Sequence, residues 1–239
     1  MERIANKKRA VVILSGGLDS ATCMGIAKAQ GYSLFPLTFD YGQRHLREIE
    51  QARLIAAHYG AEEHLKVVAL PFLKDFGASA LTDLNIEVPV VEGTSDGEQT
   101  DDIPVTYVPG RNLMFLSIAA SYAEAIGARA IYIGVNALDY SGYPDCRPEF
   151  IQKVQDVIHA GTKAGAEGVP IQIETPLLEW TKAEIIREGL RLKVPYHLTT
   201  SCYNGEEKAC GECDSCRLRL KGFREAGALD PIPYKVLSS

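Results

Sequence analysis

The sequence predicts an α/β protein, a doubly wound parallel sheet followed by a small cysteine-rich C-terminal module. Three observations carry this. Short β-branched apolar runs alternate with longer amphipathic stretches, the pattern of strands buried on both faces with helices crossing between them. Polar turns rich in glycine and hydroxyl groups follow several of the runs. Four of the six cysteines crowd into Cys202 to Cys216. A chain of 239 residues fits one domain with an appendage. The expected division is an α/β domain over residues 1–195 and a module over 196–239.

The first strand is Ala10 to Leu14, and the next are Ser33 to Phe39, Leu65 to Leu70, Ala130 to Val135 and Pro170 to Glu174. Helical periodicity marks Asp19 to Gln30, His45 to Tyr59, Asn112 to Ile126, Arg147 to Thr162 and Lys182 to Gly189. Lys74 to Val105 breaks the rhythm and has no clear period, as expected of a surface loop or a lid. Hydrophobic residues make up 46% and charged residues 23%, enough for a sizeable core. The net charge of −6 argues against a protein that coats a nucleic-acid backbone, so no nucleic-acid partner is expected. No apolar run approaches the roughly 20 residues that span a bilayer. Ala10 to Leu14 is too short for the core of a signal peptide. The expectation is therefore a cytoplasmic protein without membrane association, in which crowded cysteines bind metal rather than form disulfides.

Five segments carry chemistry. Ser15-Gly16-Gly17-Leu18-Asp19-Ser20 joins the first strand to the first helix. Backbone N–H groups at a helix start have no intrahelical partner and attract anions, phosphate above all. Gly16 and Gly17 are expected to let the backbone approach the anion, Ser15 and Ser20 add hydroxyls, and Asp19 suits Mg²⁺ or bracing of the loop. Thr38 to His45 follows the second strand and lies at the same sheet edge, where doubly wound sheets bind ligands. Tyr107 to Asn112 opens a helix and carries Arg111, suited to an anionic oxygen. Gly134 to Glu149 is dense in polar and aromatic groups, among them Asp139, Tyr140, Tyr143, Asp145 and Arg147. That density reads as a pocket for a flat polar ligand, with a tyrosine stacking on it. Cys146 lacks an evident base and reads as a small pocket-lining residue. Thr181 and Glu184 form a capping box. It places Lys182 in a first helical turn, where a cation gains nothing from the helix dipole; either an anion such as pyrophosphate or solvent explains it.

Cys202, Cys210, Cys213 and Cys216 have spacings that suit a closed tetrahedral structural zinc site, with an iron–sulfur cluster as the rival. Arg217 to Arg224 is a basic helical stretch that faces either phosphates or solvent.

The hexapeptide at Ser15 resembles the SGGxDS loop of the N-type ATP pyrophosphatases. That resemblance implies an adenine nucleotide alpha hydrolase-like, Rossmann-like sheet that cleaves ATP between its α- and β-phosphates. Leu14, Ser15, Gly16, Gly17, Leu18, Asp19 and Ser20 would hold ATP with Mg²⁺. With Phe39 to His45, Val108 to Asn112, Asp139 to Phe150 and Ser201 to Gly222 added, the chain resembles the QueC family of queuosine biosynthesis. The implied reaction takes 7-carboxy-7-deazaguanine, ammonia and ATP to the nitrile through adenylated intermediates, in a homodimer with one structural zinc per chain. On this reading Ser15, Asp19, Ser20, Lys182 and Arg111 serve catalysis. Arg111, Asp139, Tyr140, Tyr143, Asp145 and Arg147 hold the small-molecule substrate. A tRNA-thiolating adenylase of the same superfamily and a non-catalytic, zinc-stabilised nucleotide-binding regulator are the alternatives.

Overall fold

The computed structural model describes residues 8–42, 47–77, 79–83, 85–87, 103–138, 142–204 and 206–235. Residues 43–45 of the second segment, most of the 74–105 insertion, and Asp139 and Tyr140 lie outside these.

Five strands form one parallel sheet: β1 (Arg9–Ile13), β2 (Ser33–Asp40), β3 (Lys66–Ala69), β4 (Ala130–Tyr132) and β5 (Gln172–Glu174), in the order β3-β2-β1-β4-β5. The chain winds outward from β1 to β3, then returns to β1's other side with β4. That reversal opens a crevice beyond the carboxyl ends of β1 and β4, the place where such sheets take ligands.

Alternation along β1 divides the core. Ala10, Val12 and Leu14 enter one cluster, shared with α1 (Leu18–Ala29), α2 (Arg47–His58) and α7 (Lys182–Arg191). Val11 and Ile13 enter the other, beneath α4 (Arg111–Ile126) and α5 (Pro148–Gly161). Two short helices, α3 (Phe72–Asp75) and α6 (Lys163–Ala166), complete the first seven. The expected helices and strands are all present, with ends shifted by a few residues.

The C-terminal segment does not have a core wholly its own. Helix α8 (Asp214–Glu225) places Phe223 in the first cluster, and Tyr196 joins it there, whereas the four cysteines form a separate small cluster with Ala209. Tyr196 is the bolt. Its hydroxyl pairs with Thr22 Oγ1 at 2.8 Å and donates to the Ile185 carbonyl at 3.1 Å, and its ring meets Phe223 edge-on. Helix α7 begins with the expected capping box, Glu184 N–H donating to Thr181 Oγ1 and Thr181 N–H to Glu184 Oε2.

The α7–Tyr196 contact leaves no room at Gly189, where an added Cβ would stand 1.8 Å from the Tyr196 hydroxyl. Tyr196 is too well held to swing away cheaply. Gly189→Ala is therefore expected to lower stability by about 1–3 kcal/mol, the usual range for overpacking. The midpoint of urea unfolding checks this.

Candidate active site

One cavity of about 260 Å³ opens at the crevice. At one end the turn after β1 leads into α1, whose first residues carry no side-chain cap. Ser15 Oγ and Ser20 Oγ lie 3.1 Å apart, Gly17 N–H donates to Ser15 Oγ, and Ser20 Oγ donates to the Gly17 carbonyl. The two serines thus brace the turn while the start of α1 faces the cavity, an arrangement suited to an anion. Gly16 has another reason to be glycine. Its φ is +81°, and an added Cβ would lie 2.4 Å from the Glu48 carbonyl of α2. It lets the turn lie against α2 and does not line the cavity, contrary to the sequence expectation that it makes room for the anion.

Lys182 reaches across from α7 to Asp19, with its Nζ 2.9 Å from both carboxylate oxygens. Both residues line the cavity. Gly222 is in contact with the Lys182 stem, so α8 supports the lysine from behind.

The other end is aromatic. Phe39 and Phe115 stack with centroids 3.9 Å apart, and Tyr41 and Tyr143 also line the wall. Arg111, the first residue of α4, donates to the Tyr41 hydroxyl at 3.3 Å and lies over that ring. Burial pushes the Tyr41 hydroxyl up, and Arg111 pulls it back. Tyr143 is bonded to Thr106.

Asp145 is buried and committed elsewhere. Its Oδ2 accepts from Asn112 N–H at 3.2 Å, capping α4, which has no side-chain cap at its own N-cap residue Gly110. Burial raises its carboxyl, and Arg111 opposes that rise. Asp145 thus anchors the helix that carries Arg111 and does not itself line the cavity. Arg147 is exposed, at the N-cap of α5, and the structure does not bring it into the cavity. The reason is local: Pro148 starts α5 there, and its first residues point to solvent. Asp139 and Tyr140 fall outside the described residues. Cys146 lines the cavity with a thiol pushed up to about 12 by burial and by Asp145, so it stays protonated rather than nucleophilic.

Among the cavity residues that sequence reasoning did not single out, two carry charge. Glu48 sits in the first turn of α2 with nothing in its surroundings to mark it. Arg219 is 1% exposed and pairs with Asp230 through two bonds of 2.7 and 2.9 Å. It also donates to Thr199 Oγ1, Ser201 Oγ and the Tyr196 carbonyl. Its spacing three after Cys216 and four before Phe223 puts it on the buried face of α8, a signal open to reading from sequence.

The four expected metal ligands come together. The Sγ atoms of Cys202, Cys210, Cys213 and Cys216 lie within 4.8 Å of one another, all buried. Backbone N–H groups of Cys210, Glu212 and Cys213 point at sulfurs of the cluster. The cluster can hold a metal ion. Cys202 also lines the cavity, with Thr200, Ser201 and Tyr203 beside it, and Thr200 N–H donates to the Gly16 carbonyl at 3.0 Å.

A family model described as "Queuosine biosynthesis protein QueC" matches residues 9–227. A protein of Oceanobacillus iheyensis named 7-cyano-7-deazaguanine synthase is 60% identical over 227 residues, covering 95% of this chain and 98% of that one. A protein of the same name from Acetivibrio thermocellus is 56% identical with the same coverage. Among solved structures, an NMN synthetase from Francisella tularensis superposes with a TM-score of 0.50 at 15% identity, over 94% of this chain and 79% of that one, a likeness of fold alone. No helix among the described residues is long and apolar enough to cross a membrane.

Cys216→Ser removes one of four sulfurs that can hold a metal ion, and its metal content is expected to fall. It should also lower stability by on the order of 4 kcal/mol, as losses of metal sites do. Elemental analysis and chemical unfolding of the parent and variant, purified side by side, check both.

Proposed function

The chain belongs to the QueC family of queuosine-biosynthesis proteins and is an enzyme, and from that premise we infer that it is a 7-cyano-7-deazaguanine synthase acting on 7-carboxy-7-deazaguanine, ammonia and ATP. One observation supports this most: a single cavity carries an anion-binding helix start at one end and an arginine within an aromatic wall at the other.

A carboxylate is a poor electrophile and its oxygen a poor leaving group. Attack of that oxygen on the α-phosphorus of ATP expels pyrophosphate and gives an acyl adenylate. Ammonia then forms the C–N bond as the C–O bond to AMP breaks, yielding the amide. Adenylation of the amide oxygen by a second ATP, followed by loss of AMP and a proton, gives the nitrile. The protein's share is positioning and charge neutralisation.

In this reading Ser15, Ser20 and the amides from Gly17 onward hold the pyrophosphate portion, next to Leu14 and Leu18. Lys182 releases Asp19 to meet the phosphates, and Asp19 then faces the Mg²⁺ that accompanies ATP and neutralises its charge. Arg111 holds the substrate carboxylate, Tyr41 and Tyr143 flank the ring, and Asp145 steadies α4. Asp139 and Tyr140 remain proposed ring contacts.

The cysteine cluster suits zinc. Four sulfurs about 2.3 Å from a tetrahedral ion would lie about 3.8 Å apart, and Cys210 Sγ and Cys216 Sγ stand 3.9 Å apart. Zinc there would have a complete protein ligand set and a structural role, pinning residues 196–239 against the 1–195 domain. A homodimer in the cytoplasm belongs to the same proposal.

The test is a product assay with purified protein, 7-carboxy-7-deazaguanine, ammonium, ATP and Mg²⁺, read by mass spectrometry. Nitrile, AMP and pyrophosphate are the expected products. Untouched ATP and no nitrile from folded, metal-loaded protein would overturn the assignment and turn attention to tRNA. Asp19→Asn should slow nitrile formation at least about 100-fold, the scale of losing one electrostatic contact to the transition state, with metal content and unfolding midpoint retained.

A further inference from the structure

We propose that Glu48 is the group that accepts the proton of the nitrogen nucleophile, taking it from ammonium or from the addition product as the C–N bond forms. The proposal rests on the reaction assigned above.

Two carboxylates line the cavity, Asp19 and Glu48. Asp19 is engaged by Lys182. Glu48, by contrast, makes no side-chain hydrogen bond or ion pair among the described residues, and it lines the same open cavity. Its position is fixed from both sides. Its own carbonyl lies against the turn at Gly16, and its helix neighbour Arg47 is directed away, donating to the Glu206 carbonyl at 2.7 Å.

The charged and titratable groups that face Glu48 are Arg111 from α4 and Tyr41 from the segment after β2. Arg111 is the proposed holder of the substrate carboxylate, so the reacting carbon would lie between the guanidinium and Glu48. Burial lifts the Glu48 carboxyl to about 7, with Arg111 drawing it down. A base with such a value is half ionised near neutrality, where proton transfer works best.

The step balances. An ionised Glu48 takes one proton from NH₄⁺, the freed nitrogen lone pair attacks the acyl carbon, and the C–O bond to AMP breaks with its electron pair leaving on AMP. Of the two protons that the nitrogen still has to lose from NH₄⁺ to reach the amide, Glu48 takes the first. The second passes to the departing AMP or to solvent. The ammonium cation is drawn to an anionic Glu48, the cavity carboxylate that Lys182 does not hold.

The experiment compares the parent enzyme with Glu48→Gln, similar in shape but unable to take a proton. Exchange of labelled pyrophosphate into ATP, with 7-carboxy-7-deazaguanine present and ammonium absent, reads adenylation alone and so tests the proposed function by itself. In the variant, exchange is expected to fall by less than about threefold. Nitrile formation from ammonium at neutral pH should fall by about 100-fold, the lower end of general-base contributions. Hydroxylamine, unprotonated at neutral pH, should be incorporated by the variant at nearly the parent's rate. In the parent, the rate at fixed total ammonium should rise until Glu48 is ionised and then flatten, because the ionised form is the active one. In the variant it should keep climbing with free ammonia. A variant that loses exchange as fully as nitrile formation, or one that makes nitrile at the parent's rate, overturns the proposal.

Discussion

A guanidinium that is almost wholly withdrawn from water must be paired, and the pairing of Arg219 organises the far wall of the cavity. Asp230 takes two of its N–H groups, and Thr199, Ser201 and Tyr196 take others. Tyr234 donates to Asp230 in turn, at 2.6 Å. Removing one member of such a set strands a buried charge, which costs far more than the set contributes while intact. Segment 196–201 is thereby held in one conformation, and from it Thr200 reaches the turn at Gly16. The cysteine cluster then begins one residue further on, at Cys202. The turn at Gly16, the buried ion pair and the cysteine cluster are one mechanical unit.

Electrostatics at the two ends of the cavity follow opposite designs. At the helix start the charges neutralise one another, with Lys182 on Asp19. Binding of a magnesium nucleotide would exchange partners there rather than introduce charge into an empty space. At the aromatic end Arg111 meets the Tyr41 hydroxyl and ring and, among the described residues, forms no ion pair, so it keeps a capacity for an anionic ligand. Asp145 holds the first turn of the helix that carries Arg111.

Much of this was readable in the sequence, where local chemistry decides the outcome. The β1 run, the turn at Ser15, the capping box at Thr181 and the cysteine spacing each specify a structure within a few residues, and each is present. What escaped depends on partners distant in the chain. Gly16 is glycine because of α2, Asp145 is occupied by α4, and Lys182 finds Asp19 across the crevice. Glu48 has no local mark, because its significance comes from the cavity it faces. Arg219 lies in a stretch so rich in charge that its single buried position was masked, although its spacing from Cys216 and Phe223 marks the face. Arg147 stands beside residues that do enter the site and is turned outward by the helix that begins after it.

The bond from Thr200 to Gly16 joins parts of the chain separated by about three quarters of its length. Closing so large a loop is entropically unfavourable, so contacts of this kind form late and slow the folding of proteins that depend on them. The sheet and its helices have nearer partners and can organise earlier. The binding crevice would then be the last feature to mature, and a chain with a finished sheet would still lack one wall of its pocket. A nucleotide that grips only the closed form adds its binding free energy to that final docking step. Substrate supply and completion of the fold would then be coupled at that docking step.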